Sequence, residues 1–88
     1  MAFCLTRKIS WQIYRDVVYV FNEETKKAYL FSDSAKDFWF AIINFHISEE
    51  AIHNLCALYG ADNKEEITND FQDFLSALIA HGVLQEDA

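Results

Sequence analysis

Apolar and polar positions alternate with a period of two in the first third of the chain, and recur every three or four residues in the rest. Residues 10–14 (Ser-Trp-Gln-Ile-Tyr) alternate, with Trp11 and Ile13 on one side, and predict a first short strand. Arg15 and Asp16 form its turn. Residues 17–21 predict a second strand, with Val17, Tyr19 and Phe21 on one face and Val18 and Val20 on the other. Both faces are apolar, so this strand is expected to be central or partly covered on both sides. Residues 22–26 form a polar loop, and Lys27–Phe31 forms a third strand that lies at the sheet edge in a sequential strand order.

From residue 32 the period changes. Ser32 or Asp33 is suited to cap a helix whose apolar set is Ala35, Phe38, Trp39, Ile42 and Ile43. Residues 44–47 connect to a second helix that starts at Ser48, with Glu49 and Glu50 at its positive end and a stripe of Ile52, Leu55, Cys56 and Tyr59. Gly60 ends it. Residues 61–64 read as a loop, with Asn63 and Glu66 spaced as a capping-box variant. A third helix then presents Ile67, Phe71, Phe74, Leu75 and Leu78 and stops at Gly82. Residues 1–8 read as loosely held, residues 83–85 as tucking back against the sheet, and residues 86–88 as a solvated tail. Strands followed by helices predict an α+β fold with a three-stranded antiparallel sheet followed by three helices.

Composition narrows the function. The 88 residues are expected to form one domain, residues 1–88, and 52% hydrophobic content is ample for a core. With no proline and two glycines, the connections should be short. A net charge of −7 argues against nucleic acid and against an anionic membrane surface, because both need clustered Lys and Arg. Cys4 and Cys56 lack metal-ligand spacing, and reduced thiols fit a cytoplasmic setting.

The run Tyr29-Leu30-Phe31-Ser32-Asp33-Ser34-Ala35, followed by Phe38-Trp39, resembles the strand-to-helix junction of the PqqD-like family. Residues 17–22 with their acidic, Thr-containing turn, the Ser48-Glu49-Glu50 helix start, and Asp70, Phe74 and residues 75–78 closed by Gly82-Val83-Leu84 are also similar to that family. The similarity spans residues 11–84. This chain has Glu23-Glu24-Thr25-Lys26-Lys27 where the family often has Gly in the turn, and Ser32 where it usually has Asn. The resemblance implies a winged-helix-like, non-catalytic peptide-binding domain, a RiPP recognition element. Such a domain acts as a peptide chaperone. It binds the leader of a ribosomal precursor peptide and presents it to a modifying enzyme (a radical enzyme, a cyclase or a leader peptidase). By resemblance, the leader adds a strand to the third strand and lies between that strand and the third helix.

The residues themselves are compatible with this. The backbone of Lys27, Ala28, Tyr29, Leu30 and Phe31 offers an edge to an extended peptide, and alternate side chains give pockets. Tyr29 and Phe31 share one face, Ala28 and Leu30 the other, and the pattern leaves open which face borders the groove. The plainer reading is an edge guarded from aggregation by Lys26 and Lys27. Asp70, Asp73, Phe74 and Ala77 fall near one another at helical spacing. Asp70 or Asp73 is suited to pair with a basic leader residue, and the plainer reading is a solvated acidic face. His46, His53 and His81 form no metal or catalytic constellation, and no cofactor or metal is expected. Trp11 and Trp39 are expected as core anchors. Two other readings stand beside the adaptor: a winged-helix DNA-binding regulator, and a small subunit that docks onto an enzyme through exposed apolar surface.

Overall fold

The structure, a computed structural model, describes residues 2–87. Its elements are β1 (Phe3–Leu5), β2 (Ile9–Tyr14), β3 (Val17–Asn22), β4 (Lys27–Phe31), α1 (Asp33–Asn44), α2 (Ser48–Tyr59), a 3-10 turn (Ala61–Asn63), α3 (Lys64–Ala80) and β5 (Leu84–Glu86). The architecture is α+β. Strands β2, β3 and β4 form an antiparallel sheet in that order, and the three helices follow it in sequence.

Two tight turns hold the sheet together. Arg15 and Asp16 join β2 to β3 with φ of 53° and 64°. That is the left-handed twist a two-residue hairpin requires, adopted here without glycine. The β3–β4 loop is organised by Asn22, a buried polar residue at the end of β3. Its Oδ1 accepts hydrogen bonds from the N–H groups of Glu24 at 2.9 Å and Thr25 at 3.2 Å. Lys26 turns the chain back with φ of 63°, donating its N–H to the Asn22 carbonyl at 2.8 Å. Asn side chains build such turns by substituting for backbone acceptors. The hairpin that presents β4 is therefore fixed without the glycine common in the family.

The register defines two sheet faces. Trp11, Val20 and Tyr29 lie in one row, and Ile13, Val18 and Phe31 in the next. This inner face packs on the helices, with Val18 and Val20 fully buried. Trp11 meets Trp39 of α1 edge to face at 5.9 Å and Phe40 at 6.2 Å. Trp39 is fully buried, while Trp11 is only partly so. The opposite face is open: Tyr19 is 37% exposed, Phe21 38% and Leu30 62%. β3 is thus central, as expected, and covered on one side only. α1 and α3 meet one face through Trp39 and Phe74, and no element among the described residues covers the other.

The expectation of a loose N-terminal segment is corrected. Phe3 is fully buried, and β1 pairs antiparallel with β5, matching Leu5 to Leu84 and Phe3 to Glu86. Phe3 also donates its N–H to His46 in the α1–α2 connector at 2.9 Å. Residues 83–85 do tuck back, but onto β1 rather than onto the main sheet. Glu86 belongs to β5, and Asp87 donates its N–H to the Ala2 carbonyl at 2.9 Å. Both residues are exposed, as a solvated tail implies, although their backbone is paired, while Met1 and Ala88 lie outside the described residues.

The helix ends use backbone more than side chains. Neither Ser32 nor Asn63 makes a side-chain cap hydrogen bond, so the expected Ser32 cap and the Asn63–Glu66 box are not formed. Lys64 opens α3 instead of closing the loop. At the other end of α3, Gly82 has φ of 77° and donates its N–H to the Ile79 carbonyl at 3.1 Å, while Val83 donates to Leu78 at 2.9 Å. This is the Schellman arrangement, which consumes orphan carbonyls and turns the chain sharply. It drops Val83, fully buried, into the core and starts β5.

Candidate functional site: the seam between the edge strand and the last helix

β4 lies at one edge of the main sheet, with β3 as its only neighbour among the described residues. Its side chains divide as alternation requires. Tyr29 and Phe31 turn inward and are half-buried, whereas Ala28 and Leu30 are exposed on the open face. The alternation pattern left this choice open, and α3 decides it. The Phe31 ring meets Phe74 edge to face with centroids 5.1 Å apart, and lies 5.6 Å from Trp39. Tyr29 lies 5.5 Å from the His81 ring, just past the end of α3. The middle of β4 therefore faces the C-terminal end of α3, and its last residue faces the middle of that helix.

Phe74 is fixed from behind by Phe38, at 5.7 Å, which also packs edge to face on Phe71 at 5.7 Å. Each such pair adds about 0.5–1.5 kcal/mol beyond area burial, so the seam is a rigid aromatic wall. At roughly 100° per residue, Asp70, Ala77 and His81 lie within about 60° of Phe74 around α3, and Asp73 about 100° away. On that spacing Asp70, Phe74 and Ala77 share one stripe of α3, on which Phe74 meets β4, and Asp73 lies further round the helix. Asp70, Asp73 and Ala77 are exposed. Lys27, at the mouth of the hairpin, is also exposed.

Between the first half of α1, the end of α2 and the first half of α3 lies a cavity of about 220 Å³ lined by Ser34, Phe38, Tyr59, Asn63, Glu66, Ile67 and Asp70. Its floor is apolar and its rim acidic. The Tyr59 hydroxyl donates a hydrogen bond to Asp37 Oδ2 at this rim. Partial burial, and then the hydrogen bond and charge of Asp37, push the Tyr59 phenol up to about 12.

Beneath the seam, Tyr29 Oη and Trp39 Nε1 are buried without a hydrogen-bond partner among the described residues. Sequence reasoning did not place His81 at the seam, counting it only among the histidines that form no metal or catalytic constellation. Its spacing of four from Ala77 and seven from Phe74 was the available signal.

No group of three or more His, Cys, Asp or Glu side chains among the described residues is placed to hold a metal ion. Cys4 and Cys56 are free and half-buried, and Cys4 sits in β1 rather than in a frayed end, accepting a 3.5 Å hydrogen bond from Gln85 Nε2. No helix among the described residues is long and apolar enough to cross a membrane. α3 presents Glu65, Glu66, Asp70 and Asp73 to solvent against a single lysine, Lys64. That face repels phosphate, so the DNA-binding reading is not supported.

Comparison with known proteins agrees. No curated protein matches the chain. A solved structure of TbiB1 in complex with the TbiA(beta) leader peptide superposes with a TM-score of 0.84, at 21% identity and covering 96% of each chain. That likeness establishes the fold. The family model for coenzyme PQQ synthesis protein D (PqqD) matches residues 18–84, the span from β3 to the start of β5, and this chain belongs to the PqqD family.

Proposed function

We propose that this chain is a non-catalytic peptide-binding adaptor, a RiPP recognition element, that binds the leader of a ribosomal precursor peptide and delivers it to a modifying enzyme or leader peptidase. Residues 1–88 act as one peptide-binding domain in the cytoplasm. The observation that carries this reading is the pairing of an unaccompanied strand edge with an aromatic wall: β4 beside Phe74 and His81. An extended peptide gains main-chain hydrogen bonds along Lys27, Ala28, Tyr29, Leu30 and Phe31, and every second side chain enters the seam. Phe74 and Ala77 form the far wall, with the small Ala77 leaving room for a bulky leader side chain. Asp70 and Asp73 orient a basic leader residue at the rim and speed its encounter.

PqqD-family membership and the leader peptide bound to the similarly folded TbiB1 both support the reading. The test is calorimetric titration of the chain with synthetic leader segments of the ribosomal precursors encoded in its own genome. Saturable one-to-one binding of one leader, and not of its scrambled sequence, is expected. Absence of binding to every leader would refute the proposal.

A further inference from the structure

Between α2 and α3 lies a groove of about 650 Å³, three times the volume of the cavity beside Tyr59. Ile52 and Cys56 of α2, both half-buried, line it, and Ala57 stands exposed at its edge. From α3 come Lys64, Thr68 and Gln72, at intervals of one turn along one side of the helix. Cavities of this size hold small molecules when apolar lining is combined with a few placed polar groups.

Charge is sorted between the sides of α3. The helix carries Glu65, Glu66, Asp70 and Asp73 and a single lysine, Lys64. Glu65, Glu66 and Asp70 line a separate hollow, whereas Lys64 lines the groove and none of the four carboxylates does. Lys64 is also one of only two Lys or Arg residues between positions 33 and 88. The one carboxylate of the groove belongs to Glu49, in the first turn of α2. Lys64 opens α3 directly after the connection from α2, while Glu49 lies eight residues before Ala57, about 12 Å back along the α2 axis. The groove is therefore cationic at the connection and acidic at its far end.

We infer that this groove binds a small amphipathic acid. The acid's carboxylate meets the Lys64 ammonium, whose flexible stem lets the charge follow it. The Thr68 hydroxyl and the His53 imidazole, which also line the groove, are the N–H and O–H donors available to the second carboxylate oxygen. An aliphatic or aromatic body lies over Ile52 and Cys56, where its burial removes apolar surface from water. A neutral molecule gains the apolar contribution alone, and an amine meets the wrong charge at the connection. Lys64, Thr68 and Gln72 lie about 80–160° round α3 from Phe74, so the site is separate from the β4 seam. The inference goes beyond peptide binding and stands without it.

The test titrates the full chain at neutral pH with octanoate, octanol and octylamine, which share one apolar body, and follows amide shifts. Octanoate should give saturable shifts at Ile52, His53, Cys56, Lys64 and Thr68, and bind at least threefold more tightly than the other two. Lys64→Met keeps an apolar stem and removes the charge. It should weaken octanoate at least threefold and leave octanol within twofold. Ala57→Trp fills the groove from an exposed position and should abolish saturable binding while the chain stays folded. In a Cys4→Ser chain, saturating octanoate should slow alkylation of Cys56 by iodoacetamide at least threefold. Absence of saturable shifts, shifts confined to other residues, octanol or octylamine binding as tightly as octanoate, or wild-type octanoate affinity in Lys64→Met would each overturn the inference.

Discussion

Phe31 at the end of the edge strand and Phe74 in the middle of the last helix meet edge to face, with ring centroids 5.1 Å apart. This contact joins the strand that offers backbone to the helix that offers side chains. Phe74→Ala removes the wall and the backing of Phe38 at once. Because Phe74 is half-buried, the expected loss of stability is about 2 kcal/mol, below that of a fully buried Phe→Ala change. In a domain of this size that corresponds to a melting temperature lower by roughly 10 °C. Leader affinity should fall about tenfold at a temperature where the variant is still folded, as read by calorimetry. An unchanged affinity would place the peptide elsewhere.

N–H groups along a strand point alternately to either side. Of Ala28 and Tyr29, one therefore donates toward β3 and the other outward. Ala28→Pro and Tyr29→Pro should separate accordingly. One variant loses the native spectrum because it breaks the β3–β4 ladder. The other keeps its fold and loses leader binding, because only the outward donor is gone. Two folded variants with wild-type binding would contradict strand addition.

Asp70 shares the Phe74 stripe of α3, and Asp73 lies further round the helix. Asp70→Asn should weaken binding of a basic leader by about two- to fivefold at low salt, the scale of one exposed ion pair. Asp73→Asn should weaken it less. The difference between wild type and Asp70→Asn should disappear near 0.5 M salt, where such pairs are screened. Titrations at two ionic strengths check this.

Tyr59 should titrate late. Partial burial and the Asp37 carboxylate both favour its neutral phenol and push it up to about 12. A tyrosine raised in the folded state favours folding below its unfolded value near 10, and that contribution is lost as the pH climbs from about 10 through 12. Absorbance at 295 nm should show one of the four tyrosines ionising in a separate late wave. Asp37→Asn should bring that wave part of the way back toward 10, since burial remains. A single wave near 10 in the wild type would contradict the contact.

The long periodic elements were legible from the residues alone. Alternation located β2, β3 and β4, and three-and-four spacing located the helices, because each buries one face over two or more periods. β1 and β5 were not legible. Three residues are too few to show a period, and Phe3 and Glu86 meet across nearly the whole chain. Which face of β3 is covered was not legible, because Tyr19 and Phe21 look like core residues, and only the layering shows that no element among the described residues covers them. In the same way, Tyr29-Leu30-Phe31 is apolar on both sides, so the side bordering the seam had to come from the position of α3. His81 was missed because the seam continues one residue past the helix, where a periodic stripe is no longer counted.

The central claim is that a foreign extended chain completes the sheet at β4. Amide hydrogen exchange of the wild-type chain, alone and saturated with its leader peptide, tests it most directly. The account predicts at least tenfold slower exchange at alternate residues within Lys27–Phe31, where the N–H groups point outward, with shifts at Phe74, Ala77 and His81 and little change in α2. Protection confined to α2 or to the β1–β5 pair, with β4 exchanging as in the free chain, would contradict it.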